Sequence, residues 1–295
     1  EMISMRYAQN FARGYGLIWN PGGEKVQGFT NLLWTLYMAV IHLFPVPLPK
    51  TSLVIQLTGV LCIIASLFFV KKIAELVSNN SHFVIFFSVL FSAFYFPLIN
   101  WSVILGTEVS ILTLLLTLIT YKSLVIMKTK KFSILLFLLL GLGIVVRLDF
   151  LVPSIAIVLF LLLIDKANRK EYIFKGILLL LFFIIGIFLF QFFYYHSAFP
   201  NSYYLKLTGY PILNRITRGM YTTIKSVNVL LFLIPFIYLY VSKNIKVFLL
   251  LELYMAVILY NIYVGGDAWE SYGGANRYVV IAMPLFFISI FMTLF

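Results

Sequence analysis

Charge is what this sequence has least of. Only 11% of its 295 residues are Asp, Glu, Lys or Arg, while 62% are hydrophobic; a soluble domain carries about a quarter charged residues. No soluble fold of this length can bury so much Leu, Ile and Phe, and the mean hydropathy of +1.03 places the chain among integral membrane proteins. The single cysteine, Cys62, excludes an internal disulfide. The three histidines (His42, His82, His196) are scattered without metal-ligand spacing. There is no phosphate-binding Gly-x-x-x-x-Gly-Lys-Ser/Thr loop, dinucleotide fingerprint, Gly-x-Ser-x-Gly elbow or His-Glu-x-x-His pair. "GLGIVVR" (141–147) lies within an apolar run and follows no strand, so its glycines serve packing. Strict alternation, the mark of membrane-barrel strands, is also missing.

What is present is a series of apolar runs of about 17–25 residues, the length of a spanning helix. They predict an all-α polytopic protein with nine spans near 51–70, 83–99, 108–127, 132–146, 150–164, 175–195, 226–241, 247–263 and 278–295. Residues 1–50 then form an outer first loop with interfacial helices, and 51–295 form the bundle. The segment "GFTNLLWTLYMAVIHLF" (28–44) is apolar but runs into "PVPLPK", whose prolines forbid continuous helix; it reads as a helix lying in the membrane surface. "RLD" (147–149) would be costly at a bilayer centre. Two helices breaking near Pro153, with "RLD" at the outer surface, avoid that cost. The chain begins on Glu1 rather than Met and stops within the apolar "ISIFMTLF", so a first span and a C-terminal part are expected to lie outside it.

The net charge of +12 reads as orientation, because cytoplasmic loops carry excess Lys and Arg. Lys71, Lys72, Lys128, Lys130, Lys131, Lys166, Arg169, Lys170, Lys175, Lys243 and Lys246 fall on the inner side of the predicted topology. A nucleic-acid partner is not expected, since no soluble basic domain exists to hold one. The opposite side mixes acids, bases and rings, so the chemistry is expected there, at the outer face of the membrane. Nucleotide-activated donors are made in the cytoplasm. Lipid-linked substrates remain: a phosphate at headgroup depth, an apolar tail and a sugar.

Such chemistry needs a carboxylate to activate an acceptor or steady developing positive charge, Arg or Lys for the leaving phosphate, and rings to face the sugar. "GGDAWESYGGANRY" (265–278) holds Asp267, Trp269, Glu270 and Arg277 together. Plainer readings stand beside this one. Asp267 and Glu270 are read equally well as solvated loop acids. Trp269, Tyr272 and Tyr278 fit an interfacial aromatic belt. Arg215, Arg218 and Lys225 fit an amphipathic stretch against headgroups. Arg147 with Asp149 fits a structural ion pair, and Glu108 a helix N-terminal acid favoured by the dipole. On residues alone the chain is an enzyme or transporter of a phospho-lipid.

The order of these residues resembles a known family. "ISMRYAQNFARGYGLIWNPGGEKVQGFTNLLWT" (3–35) is similar to the first outer loop of the AftB/ZomB-like terminal arabinofuranosyltransferase family. That loop runs Asp-Asp-x-x-Ile-Ser-x-Arg-Tyr, then Gly-x-Gly-Leu-x-x-Asn-Pro-Gly-Glu, then Glu-Gly-Tyr-Thr-Asn-x-Leu-Trp. Ile3, Ser4, Arg6 and Tyr7 match the first part. Gly14, Gly16, Leu17, Asn20, Pro21, Gly22 and Glu24 match the second, with Gly23 inserted. Gln27, Gly28, Phe29, Thr30, Asn31, Leu33 and Trp34 match the third, with Gln for Glu and Phe for Tyr. "GTEVSILTLLL" (106–116), "RLDFLVP" (147–153), "FPNSYYLK" (199–206) and "GGDAWESYGGANRYVVIAMP" (265–284) resemble further landmarks, in order along nearly the whole chain.

The resemblance implies a GT-C-like helical bundle and transfer of a sugar, in this family a pentofuranose, from a polyprenyl-phosphate donor to a periplasmic glycan or lipid acceptor among membrane lipids. The family's Asp-Asp pair would fall immediately before Glu1, and Glu1 is not given its role. The expected catalytic acids are Asp267, Glu108 and Asp149. Arg6, Arg147, Lys206 and Arg277 are expected at the donor phosphate, and Asn31, Asn201, Tyr203 and Trp269 at the sugar. No cofactor is called for, although a divalent cation is compatible with such a site. The alternatives are a transporter or flippase of lipid-linked sugars, and a non-catalytic family member aiding envelope or flagellar assembly. Inverted repeats, a mark of many transporters, are not seen.

Overall fold

A computed structural model describes residues 2–209, 211–226, 229–267 and 276–295, excepting the side chains at 48, 202, 206, 207, 226 and 229–232. It is 80% helix, with no strand among the described residues. The chain opens with α1 (Met2–Ala12), a glycine-punctuated loop, and α2 (Leu32–His42). Next come α3 (Leu48–Val77), α4 (His82–Phe94), and α5 (Phe96–Ile99) running into a π turn at Asn100–Ile104. α6 (Val109–Thr129) and α7 (Ile134–Val146) precede a tight turn at Leu148–Phe150 and α8 (Leu151–Ile164). The short α9 (Arg169–Glu171) leads through a π turn into α10 (Leu178–Tyr195). Then follow α11 (Asn201–Leu207), α12 (Ile212–Ser226), α13 (Val229–Ser242), α14 (Ile245–Val264), α15 (Arg277–Val280) and α16 (Met283–Leu294).

Helix occupies every one of the nine expected spans. Four stretches are long and apolar enough to cross a bilayer unaided: Pro49–Val77, Val109–Thr129, Lys166–Tyr195 and Ile245–Val264. A fifth is the pair His82–Phe94 and Phe96–Ile104, bent by 51°. Pro97 sits in the first turn after that bend and has no N–H to offer the preceding turn, which accounts for the break. The other apolar helices, Ile134–Val146, Leu148–Ile164, Leu233–Ser242 and Met283–Leu294, run only 10–17 residues. At about 1.5 Å per residue they fall short of a roughly 30 Å hydrocarbon core. Together these helices make a multi-pass membrane protein.

The bundle is held by close helix pairs. α6 carries Thr113, Thr117, Thr120 and Ser123 on buried turns, each hydroxyl bonded to its own helix, as from Thr113 to the Val109 carbonyl at 2.7 Å. Small side chains with internally satisfied hydroxyls let a neighbour approach, and α3 packs along this helix. Phe69 of α3 meets Tyr121 of α6 at 5.8 Å between ring centroids, so both helices bring their C-termini to one end. Gly59 allows the π turn after α5 to lie against α3; a β-carbon there would sit 2.2 Å from the Ser102 carbonyl oxygen. α16 lies antiparallel to α4 through Phe83, Phe87 and Phe91, which contact Phe291.

The two ends of the bundle differ. At one, Lys246 donates to the Leu76 carbonyl at 2.6 Å and Asn168 to the Lys130 carbonyl at 2.8 Å, tying the Lys-rich connections together. At the other, residues 2–31 fold back over the bundle. The Leu17 N–H donates to the Tyr194 hydroxyl oxygen at 2.8 Å, and the Tyr195 hydroxyl donates to the Leu17 carbonyl at 2.8 Å. Trp34 donates to the Gly106 carbonyl at 3.2 Å.

One local expectation is corrected. The break between α7 and α8 falls at Arg147, not near Pro153, which occupies the first turn of α8. A proline there lacks only an N–H that would have no helical partner. At that break Arg147 is buried within the protein, 4% exposed. Its extended backbone (φ −158°, ψ 126°) turns the chain so that the guanidinium faces inward to a carboxylate.

Candidate functional site

The site is assembled at the helix starts and breaks of this second end. Gly106, at φ +61°, turns the chain into α6, and Thr107 accepts from the Val109 N–H at 3.3 Å. Glu108 follows, buried at 2% exposure. Its Oε2 accepts from Asn31 Nδ2 at 2.9 Å and its Oε1 from Arg147 Nη1 at 2.8 Å. Asn31 is itself held: its Oδ1 accepts from Ser4 at 2.9 Å and Thr35 at 3.2 Å. The other arm of Arg147 binds Asp149 Oδ2. One line of polar contacts thus runs from α1 through α2 and α6 to the α7–α8 break.

A second arm comes from the last helices. Asn276 caps α15 by accepting from the Tyr278 N–H at 2.9 Å and the Val279 N–H at 3.4 Å, and it also donates to Asn261 of α14. That cap sets Arg277 and Tyr278. The Tyr278 ring lies between two guanidinium groups, 4.8 Å from Arg147 and 5.5 Å from Arg277. Arg277 Nε approaches Asp267 Oδ2 to 3.1 Å. The N–H is not aligned as a hydrogen bond, and neither oxygen of Asp267 has a hydrogen-bond partner among the described residues; the contact is Coulombic.

These neighbours set the ionisation. Burial opposes charge on Glu108, but Arg147 first and then Arg277 outweigh it and hold the carboxyl below the ordinary carboxylate range. Burial likewise opposes charge on Arg147, and Asp149 and Glu108 overcome it, raising its pKa well above the usual value. For Arg277, burial and the Arg147 charge are outweighed by Asp267, Tyr278 and Glu108, so its pKa is raised too. All three side chains are therefore ionised at neutral pH.

A cavity of about 900 Å³ opens beside this cluster. Its walls are mainly apolar, with Phe29, Leu32, Ile55 and Trp101 among them, and its polar lining includes Asn31, Glu108, Arg147, Asp149, Gln191 and Arg277. Residues 2–5 and 27–32 form one wall and the α7–α8 break another. The arrangement suits an amphiphile with its head at the ionic cluster and its apolar part along the wall.

Of the expected site residues, Glu108, Asp149, Arg147, Arg277, Asn31 and Tyr203 line this cavity. Asp267 does not; at 1% exposure it stands behind Arg277. Arg6 points elsewhere, donating to the Trp19 carbonyl at 3.4 Å, and Asn201 is exposed away from the lining. The Lys206 side chain and Trp269 lie outside the described residues. Sequence reading passed over Gln191, Tyr260 and Tyr278 as lining residues. For Tyr278 the available signal was its place beside Arg277; Gln191 is a lone amide in the apolar run of α10, which is itself a signal at membrane depth.

Among the described residues no three His, Cys, Asp or Glu side chains converge to hold a metal ion. Glu108 and Asp149 are bridged by Arg147, whose positive charge stands where a cation between two carboxylates would otherwise lie. No family model, no curated protein and no solved structure matches the chain.

Proposed function

We propose that this chain is a membrane glycosyltransferase of GT-C type, moving a sugar from a polyprenyl-phosphate donor to a glycan or lipid acceptor on the periplasmic side of a bacterial inner membrane. The observation that carries the reading is one cavity that joins long apolar walls to a buried ionic cluster. A lipid-linked sugar phosphate has the same two-part chemistry. The ordered resemblance of residues 3–35 and of the four later stretches to the AftB/ZomB-like family supplies the reaction class.

On this reading the roles divide among the lining residues. Asp149 is the most accessible acid of the cluster, its side chain 14% exposed against 3% for Glu108 and 1% for Asp267. It is the group placed to take a proton from an acceptor hydroxyl or to steady positive charge at the sugar. Arg147 orients it and is itself fixed by Glu108, with Asn31 behind. Arg277, 22% exposed and lining the cavity, is the phosphate partner, and Asp267 holds it from behind. Three carboxylates face two guanidinium ions here, so the leaving phosphate calls for a further cation. Lys206 is the candidate, on α11 three residues beyond the cavity-lining Tyr203.

The test is transfer by the purified protein from defined polyprenyl-phosphate sugars. Asp149→Asn should lower kcat by about 10²–10⁴-fold with little change in donor KM, and Arg277→Gln should raise the donor KM. Turnover unchanged in Asp149→Asn overturns the assignment. Movement of intact lipid-linked sugar across vesicles without transfer favours the transporter reading.

A further inference from the structure

α12 carries three cations, Arg215, Arg218 and Lys225, and residues 211–226 contain no acid. Its seat on α14 fixes its roll. Gly219 packs so closely that a β-carbon would lie 2.4 Å from the Ile262 carbonyl oxygen. Thr223 accepts from Asn261 Nδ2 at 3.0 Å, and the Arg215 guanidinium sits 4.8 Å over the Tyr263 ring. Arg215, Gly219 and Thr223, spaced four apart, are the buried stripe.

That roll decides what faces outward. At about 100° per residue, Leu213, Met220 and Ile224 fall within roughly 40° of each other on one exposed arc. They are 71%, 47% and 57% exposed. Asn214, Arg218, Tyr221 and Lys225 are also exposed and occupy the adjoining arc, within about 60°. A helix with one apolar and one basic free arc, lying on a multi-pass bundle, has the form of a membrane-surface helix. A protein partner would be expected to bring acids against Arg218 and Lys225 and an apolar groove against Leu213. An anionic leaflet supplies both, as headgroups and acyl chains, along the whole helix.

We propose that α12 is a docking surface for anionic phospholipid, with Leu213, Met220 and Ile224 set among the acyl chains and Arg218 and Lys225 on the headgroups. The reading is independent of the glycosyltransferase proposal, because it concerns residues that do not line the cavity and its test does not read activity.

The full chain, with Cys62→Ser and a single fluorophore-labelled Met220→Cys or Asn214→Cys, is reconstituted into phosphatidylcholine vesicles with and without phosphatidylglycerol. Lipids brominated on the acyl chain serve as quenchers. Position 220 should be quenched more than position 214, and brominated phosphatidylglycerol should quench 220 more strongly than brominated phosphatidylcholine. Arg218→Glu with Lys225→Glu should remove that preference, by about fivefold for each cation lost. Equal quenching at 214 and 220, or no preference for the anionic lipid in the unreversed protein, overturns the proposal. So does energy transfer between labels on separate copies at 220 that persists on dilution with lipid, since a second copy would then cover the arc.

Discussion

The two ends of the bundle use charge in opposite ways. At the Lys-rich end the ion pairs are local and wet. Lys175 meets Glu171 at 3.4 Å with side chains 61% and 42% exposed, one helical turn apart. Even the buried Asp165 is held there by neutral donors, Tyr172 at 2.7 Å and Asn168 at 2.8 Å. At the other end Arg147 and Glu108 meet at 2.8 Å with 4% and 3% exposure, 39 residues apart in sequence. The first arrangement is a set of exposed pairs that contribute little to stability. The second stores long-range, desolvated charge beside a cavity, where each member depends on the others.

The comparison is broken most directly by removing one buried acid. Glu108→Ala leaves Arg147 with a single carboxylate and Asn31 without its acceptor. It should cost about 3–5 kcal/mol, read by thermal or detergent-titrated unfolding of the full chain. A loss near zero would place the cluster in effective solvent.

Acid should act on the same end. The folded-state pKa of Glu108 lies below its unfolded value, so its contribution is whole above the ordinary carboxylate range and disappears as pH falls through the lower folded value. Unfolding temperature measured on a falling pH series should drop in the parent and drop less in Glu108→Gln.

Asn31→Ala should cost about 1–3 kcal/mol, since it strips Glu108 of a donor and leaves the buried Ser4 and Thr35 hydroxyls without their acceptor. It should also shift the acid transition upward, because the carboxylate loses a hydrogen bond that favours its charged form. The smallest effect belongs to the other end. Glu171→Ala should change stability by less than about 0.5 kcal/mol, and added salt should erase even that.

Much of the fold was legible because a bilayer imposes a one-dimensional code. Apolar runs marked helix at all nine expected spans, and Lys71, Lys72, Lys130 and Lys246 marked one end without any knowledge of packing. The resemblance to the AftB/ZomB-like family put Glu108, Arg147, Asp149 and Arg277 on the list of site candidates, and all four line the cavity. The sequence was less informative about facing. Pro153 looked like a break but serves as a helix start, because a proline's effect depends on which turn it occupies. Asp267 looked like a catalytic acid, yet it does not line the cavity and pairs with Arg277, which does. Asn31 looked like a sugar contact, yet both ends of its amide are engaged by Ser4, Thr35 and Glu108.

Membrane residence, helical class and the contrast between a Lys-rich and a chemically mixed side were determined by the sequence alone, because they follow from composition and from the order of apolar and polar stretches. Tertiary structure decided which acid faces the cavity, which guanidinium is already committed, and how residues 2–31 close over the bundle. Those outcomes depend on helix roll and on contacts such as Leu17 with Tyr195, 178 residues apart, and neither is written in local spacing.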